Sequence, residues 1–209
     1  TDGGRKVAYN GDAGLKAMTF YTELFTKYKL GTPNFFPGNN SYRDAFIAGK
    51  VGMIIDGSFA VATIKNGAKF NWGVMPLPTF KGSSVRSNFG SYWVNGITKN
   101  AKGDKLAAAS KFLAFLTSEE TQRTWLEKVG EIPASKKLSG DPALRKDPVY
   151  GAFVSSLPFA HSTLFVDEAG QRKAWVDAIN TVILQNGTPA NAVKKAAAEE
   201  QKILDGYYK

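Results

Sequence analysis

The chain has 209 residues, 43% of them hydrophobic and 22% charged, which fits a packed globular protein and excludes a disordered one. It contains no cysteine, which excludes disulfides, thiolate metal sites and cysteine nucleophiles. Its net charge is +9, yet the basic residues are spread along the chain and the tightest pairs, Lys136-Lys137 and Lys194-Lys195, are short. That is the pattern of a solvated basic surface, not of a nucleic-acid patch.

Residues 1–9 are polar and glycine-rich and do not read as a secretory signal. No apolar run approaches the ~18 residues that cross a bilayer. Asp12 is expected to cap a helix to about Tyr28, with Ala17, Phe20, Tyr21, Leu24, Phe25 and Tyr28 as its apolar stripe. Gly31-Thr32-Pro33 stops it, and 34–40 reads as a loop carrying Phe35 and Phe36. A second helix from Ser41 ends at Gly49, which has no Cβ and takes the left-handed conformation that closes a helix. Val51 to Ile55 is a short apolar run, predicted to be a strand covered on both faces. Asp56-Gly57-Ser58 is turn chemistry at that strand's end, where ligands bind in open α/β sheets.

Phe59 to Asn66 reads as a short helix, and Phe70 to Leu77 as a strand ended by Pro76 and Pro78. A polar loop over 81–88 leads to Phe89-Gly90-Ser91-Tyr92-Trp93 and a short strand to Thr98. Asp104 is expected to cap a helix with Leu106, Ala109, Leu113 and Leu116 on one face. Thr117-Ser118-Glu119-Glu120 is a capping box opening the next helix, which carries Trp125. The segment 130–148 is rich in proline and lysine and predicts connecting chain with short helices at most. Asp147-Pro148 opens another helix. A long helix from about Asp167 carries Trp175, Ala178, Ile179 and Val182 and ends at Asn186-Gly187. Thr188-Pro189 caps the last helix, with Ala192, Val193, Ala196, Ala197 and Leu204. Short buried strands between longer helices make the class α/β.

The unit Ala45 to Phe59 closely resembles the helix–strand–aromatic unit of extracellular solute-binding proteins of the maltose-binding type, the capture subunits of ABC importers. The likeness continues through Asn71-Trp72-Gly73-Val74-Met75-Pro76-Leu77-Pro78, Lys111 to Glu120 and Gly130-Glu131-Ile132-Pro133-Ala134-Ser135. It spans about Tyr9 to Asp205, and the order and spacing of these motifs carry it. The resemblance implies a periplasmic-binding-protein-like (type II) fold and a chain that is the C-terminal part of a longer protein, without its export signal or first lobe. Residues 1–88 and 138–209 would build the C-terminal lobe. Residues 89–137 would be a hinge crossing, at 89–91, and a returning segment of the N-terminal lobe. The stripe of Leu106, Leu113 and Leu116 then needs a sheet that the chain does not encode; left exposed it forfeits roughly 25 cal/mol per Å².

The resemblance also implies function. The partners would be a sugar or oligosaccharide, the importer's membrane subunits and the missing N-terminal lobe. The location would be periplasmic, or extracellular and membrane-anchored. No cofactor is expected.

Sugar rings present C–H faces to flat aromatics and hydroxyls to directional polar groups. Phe59 matches the family's stacking aromatic, with a core phenylalanine as the competing reading. Phe replaces the more usual Trp there. Asp56 is either a ligand contact or a turn residue. Tyr92 and Trp93 follow the hinge, and alternation of side chains turns one of them, Trp93 by preference, to the ligand. Asn88 and Ser91 flank the hinge as hydroxyl partners, and Glu131 borders the cleft. Trp175 falls near a stacking position and also fits its helix's core stripe. Trp72 and Trp125 read as packing residues.

Catalysis finds little support. His161 is the single histidine, and no G-x-S-x-G, Walker loop, G-x-G-x-x-G or H-E-x-x-H occurs. Two alternatives remain: a binding protein for a non-sugar solute such as a polyol phosphate, which the charge keeps open, and a carbohydrate hydrolase, which needs a carboxylate pair across a cleft.

Overall fold

The computed structural model describes residues 2–31, 40–163 and 165–209. The chain packs as two compact units, one from residues 1–35 and 163–209, the other from 36–162.

Among the described residues the first unit packs three α-helices, α1 (Asp12–Thr26), α9 (Glu168–Gln185) and α10 (Pro189–Tyr207). Their cores meet at Met18, Ala178, Val182, Ala192, Val193 and Ala196, with Tyr9, Trp175 and Ile179 packed against them. The stripe expected on α10 is the observed one, with Ala192, Val193, Ala196, Ala197 and Leu204 all buried. On α1 it is not. The buried line is Gly14, Met18 and Thr22, while Phe20 is 48% and Tyr28 54% exposed. Met18 enters the shared core, Gly14 lets the Tyr9 backbone approach, and Thr22 satisfies its hydroxyl by donating to the Met18 carbonyl at 2.8 Å.

Local sequence chemistry sets the helix ends. Asp167 accepts from the Gly170 amide and Thr188 from the Asn191 amide, with Pro189 at the first helical position. Asn186 closes α9 in the left-handed region at φ 56°. Asp12 was expected as a cap, but Gly11 holds that position and Asp12 sits in the first turn, where its charge favours the helix dipole.

The second unit contains α2 (Ser41–Ile47), α3 (Val61–Gly67), β1 (Asn88–Phe89), α4 (Gly103–Leu116), α5 (Glu119–Val129), α6 (Lys136–Ser139), α7 (Pro142–Arg145), α8 (Tyr150–Ser156) and β2 (Ala160–His161). β1 and β2 pair in parallel, Asn88 opposite Ala160 and Phe89 opposite His161. A core of Phe46, Ala60 and Ile64 gathers Ile47, Val51, Ile54, Ala68 and Trp72, so Trp72 is the packing residue the sequence suggested. Gly49 ends α2 at φ 69°, as expected of a left-handed stop.

Three corrections concern strands. Residues 51–55, 70–77 and 93–98 carry no ladder among the described residues. The first of them is not covered on both faces: Val51 and Ile54 touch the core, but Met53 is 84% and Ile55 77% exposed. A strand is defined by its neighbours, and these runs have the apolar composition without a partner to bond.

Helices α4 and α5 bury no residue. Trp125, expected in a core, is 52% exposed. The cap of α5 is Ser118, which accepts from the Thr121 amide. α4 starts after Lys102, so Asp104 lies in the first turn and is not its cap. The short helices in 130–148 match expectation. The loop residues Phe35 and Phe36, and the stop residues Thr32 and Pro33, lie outside the described residues.

Candidate functional site

The best-defined polar structure in the second unit is built where α2 meets the segment that follows it. Arg43 stands three residues before Phe46 and so shares the buried face of α2. Its guanidinium meets the Asp56 carboxylate bidentately: Nε donates to Oδ2 at 2.7 Å and Nη2 to Oδ1 at 3.1 Å. The Gly57 amide also donates to Asp56 Oδ1, at 2.8 Å. Both side chains are nearly buried, at 11% and 8% exposure. The hydrogen bonds to Asp56 hold Arg43 above its ordinary pKa, against the opposing effect of burial. The pair is therefore charged and balanced.

Phe59 lies in a single 3-10 turn, Ser58–Ala60, between this pair and α3. Its neighbour Ala60 is buried at 1%, which anchors the turn, while the Phe59 ring is 56% exposed. The Arg43 guanidinium carbon sits over that ring, 5.6 Å from its centroid.

The loop after α5 approaches the same turn. Gly130 closes α5 in the left-handed region at φ 87°. A Cβ there would lie 3.4 Å from the Ser58 carbonyl oxygen and 3.2 Å from the Tyr150 hydroxyl. Glu131 follows directly, half-buried. Gly130 thus packs on the Ser58–Ala60 turn that carries Phe59, and Glu131 follows it, 75 positions after Asp56.

The remaining expected site residues lie elsewhere. Asn88 is in β1 and its side-chain oxygen accepts from the Phe89 amide at 2.8 Å. Ser91, Tyr92 and Trp93 continue from it, all exposed, Tyr92 at 74% and Trp93 at 95%. His161 is exposed, and its carbonyl accepts from the Gly90 amide at 2.9 Å. Trp175 belongs to the first unit, where its ring lies 4.4 Å from that of Tyr9. It packs against the α1–α9–α10 core there. A groove of about 530 Å³ in that unit is lined by α1, the end of α9 and the start of α10, and none of the expected ligand residues lines it.

Sequence reasoning missed Arg43. Its signal was its place on the core face of α2, three residues before Phe46; nothing local paired it with Asp56, 13 residues on. Among the described residues no group of His, Asp and Glu is arranged to hold a metal ion. No described helix is long and apolar enough to cross a membrane.

Residues 2–152 match the family described as bacterial extracellular solute-binding protein, and the chain belongs to that family. It is 30% identical over 164 residues to a galactooligosaccharide-binding protein of Bacillus subtilis (strain 168), covering 77% of this chain and 38% of that one. The GacH receptor of Streptomyces glaucescens, solved unliganded and with acarbose, superposes with a TM-score of 0.77 at 22% identity, over 99% of this chain and 53% of that one. UgpB from Mycobacterium tuberculosis, solved with glycerophosphocholine, superposes with a TM-score of 0.73 at 17% identity, over 98% and 52%. The fold is the α/β periplasmic-binding-protein-like fold, type II. The chain spans about half the length of the solved structures it matches and less of its curated relatives.

Proposed function

We propose that this chain is part of the substrate-binding subunit of a bacterial ABC importer that captures a sugar or oligosaccharide between two lobes. In this reading residues 1–88 and 138–209 form the C-terminal lobe, and 89–137 cross the hinge and join an N-terminal lobe. The partners are the sugar, that lobe and the importer's membrane subunits. The protein works in the periplasm, or outside the cell on a membrane anchor. It binds without chemistry, and closure of the lobes shifts a population from open to closed.

The observation that carries this reading is the Phe59 ring, 56% exposed above a charge-balanced Arg43–Asp56 pair. An exposed flat ring on a neutral base suits the C–H face of a sugar. It does not suit an anion as well, because Asp56 already satisfies Arg43. Glu131, Asn88, Ser91, Tyr92, Trp93 and Trp175 are the proposed further ligand residues. The polyol-phosphate reading has support in the net charge of +9 and in the likeness to UgpB.

A thermal-shift screen of the full-length protein against maltotriose, galactooligosaccharides and glycerol 3-phosphate tests this. A ligand at a hundred times its Kd adds ~2.7 kcal/mol. Stabilisation by an oligosaccharide, reduced by about 1–3 kcal/mol of binding energy in Phe59→Ala, is the expected result. Stabilisation by glycerol 3-phosphate alone would favour the anion reading. Unchanged affinity in Phe59→Ala with a large loss of stability would make the ring a core residue.

A further inference from the structure

Asp56 already accepts three hydrogen bonds, which occupy most of the roughly four acceptor sites of a carboxylate. Its two oxygens accept from Arg43 Nε, Arg43 Nη2 and the Gly57 amide, at 2.7, 3.1 and 2.8 Å. Its side chain is 8% exposed. Asp56, which the sequence offers either as a ligand contact or as a turn residue, is by geometry engaged by Arg43 and Gly57.

What the pair does is hold the ring beside it. The Arg43 guanidinium carbon lies over the Phe59 ring, 5.6 Å from its centroid. A bidentate fork cannot swing as a lone ammonium can, so the cation has one place to be. Gly57 adds a second constraint. A Cβ on Gly57 would fall 2.2 Å from Phe59 Cε1 and 2.7 Å from Cδ1. The ring therefore lies in the space that any side chain at position 57 would fill, with its edge against the backbone. The turn itself is closed by the Ala60 amide donating to the Gly57 carbonyl at 3.0 Å. Phe59 nonetheless remains exposed to solvent.

We infer that Arg43, Asp56 and Gly57 are positioning residues that fix the Phe59 ring as a preorganised ligand platform, one side committed to the protein and the other presented outward. The inference rests on the proposed role of Phe59 in ligand capture and extends it to three residues that do not touch ligand. A fixed ring loses less freedom on binding than a mobile one, so affinity depends on how the ring is held as well as on its presence. The base also selects. With the guanidinium neutralised by Asp56, the platform favours an uncharged ring stacked on Phe59 over a phosphate.

The test places 4-fluorophenylalanine at position 59 of the full-length protein and follows its fluorine resonance without ligand, in the parent and in Arg43→Lys, Asp56→Asn and Gly57→Ala. Each substitution should move the resonance toward that of a solvent-exposed ring. An unchanged resonance in folded Arg43→Lys and Gly57→Ala would overturn the inference. A second arm measures maltotriose and galactotriose affinity in a double-mutant cycle. Arg43→Lys should weaken binding about fivefold to tenfold when Phe59 is present and less than about twofold in the Phe59→Ala background. An equal loss in both backgrounds would mean that Arg43 meets the ligand itself, and would also overturn the inference. A purely structural role would lower the unfolding midpoint without coupling to Phe59. Should neither sugar bind, the sugar reading fails, while the resonance still decides whether the ring is positioned.

Discussion

The Tyr9 hydroxyl donates to Glu200 Oε2 at 2.8 Å, tying the N-terminal segment to the middle of the last helix across 191 positions of sequence. The other oxygen of Glu200 accepts from Gln171 Nε2, also at 2.8 Å. Gln171 Oε1 in turn accepts from the Val166 and Asp167 amides, at 2.9 and 3.2 Å. Gln171 is 2% and Glu200 7% exposed. The network clamps residues 5–9 and the entry to α9 onto α10, with Gln201 accepting from the Val7 amide and donating to the Arg5 carbonyl.

Tyr9→Phe should cost about 1–3 kcal/mol at neutral pH, because it leaves a buried carboxylate oxygen without its donor. Burial first, and the bond to Glu200 second, raise the Tyr9 pKa far above its ordinary value of 10.0. The folded state thus keeps the phenolic proton after the unfolded chain has released it. The stabilisation is complete below about pH 10 and declines as pH rises further. Denaturant titrations at pH 7, 9 and 10.5 should show the difference between parent and Tyr9→Phe shrinking only at the highest pH. A difference that grows with pH would contradict the assignment.

Gly14→Ala should destabilise the first unit by about 1–3 kcal/mol or more. A Cβ at Gly14 would lie 1.6 Å from the Tyr9 carbonyl oxygen, and that oxygen belongs to backbone, which cannot swing aside as a side chain does. Gly73→Ala is the control, since nothing lies within 4 Å of a Cβ there. It should change stability by less than about 0.5 kcal/mol. Similar unfolding midpoints for the two variants would sink the claim.

Helices α4 and α5 should exchange their amides faster than α9 and α10 in the 209-residue chain. Neither of the first two buries a residue, whereas α10 buries Ala192, Val193, Ala196, Ala197, Glu200 and Leu204. On α4, Phe112 is 59% and Phe115 61% exposed. In the proposed full-length protein the same helices should become protected, because a neighbouring lobe covers that apolar surface. Equal protection of all four helices in a proven monomer of this chain would refute the proposed lobe assignment.

Bound sugar should leave unchanged. A capture protein needs affinity without preference for a transition state. Prolonged incubation with maltotriose, followed by product analysis, is the measurement. Cleavage that survives purification and is lost in Glu131→Gln would replace the binding reading with a hydrolase.

Much of the helical framework was legible because its signals are local. Thr188-Pro189 at the start of α10, Asn186 at the end of α9 and Gly49 at the end of α2 each act within a turn of themselves, through a side-chain acceptor, a fixed φ or a missing Cβ. The stripe of α10 was legible for a related reason: one helix face at a period of 3.6 residues is visible in one stretch of sequence. The family, too, was readable from the order of its motifs, and residues 2–152 match it.

What the sequence by itself determined is therefore the longer helices, the ends set by Thr188-Pro189, Asn186 and Gly49, the apolar character of 51–55 and the aromatic delivered at Phe59. Tertiary structure decided the rest, because the deciding contacts join residues far apart in sequence. On α1 the buried line is Gly14, Met18 and Thr22, not the larger Phe20, because Met18 meets the α9 and α10 core and Gly14 lies against the Tyr9 backbone. The run 51–55 shows no ladder because hydrogen-bonded neighbours, which no local composition supplies, make a strand. The Asp56 carboxylate has the same residue type whether it serves a ligand or Arg43. Only folding, which sets α2 against residue 56, gave that charge its partner and left the Phe59 ring above it open.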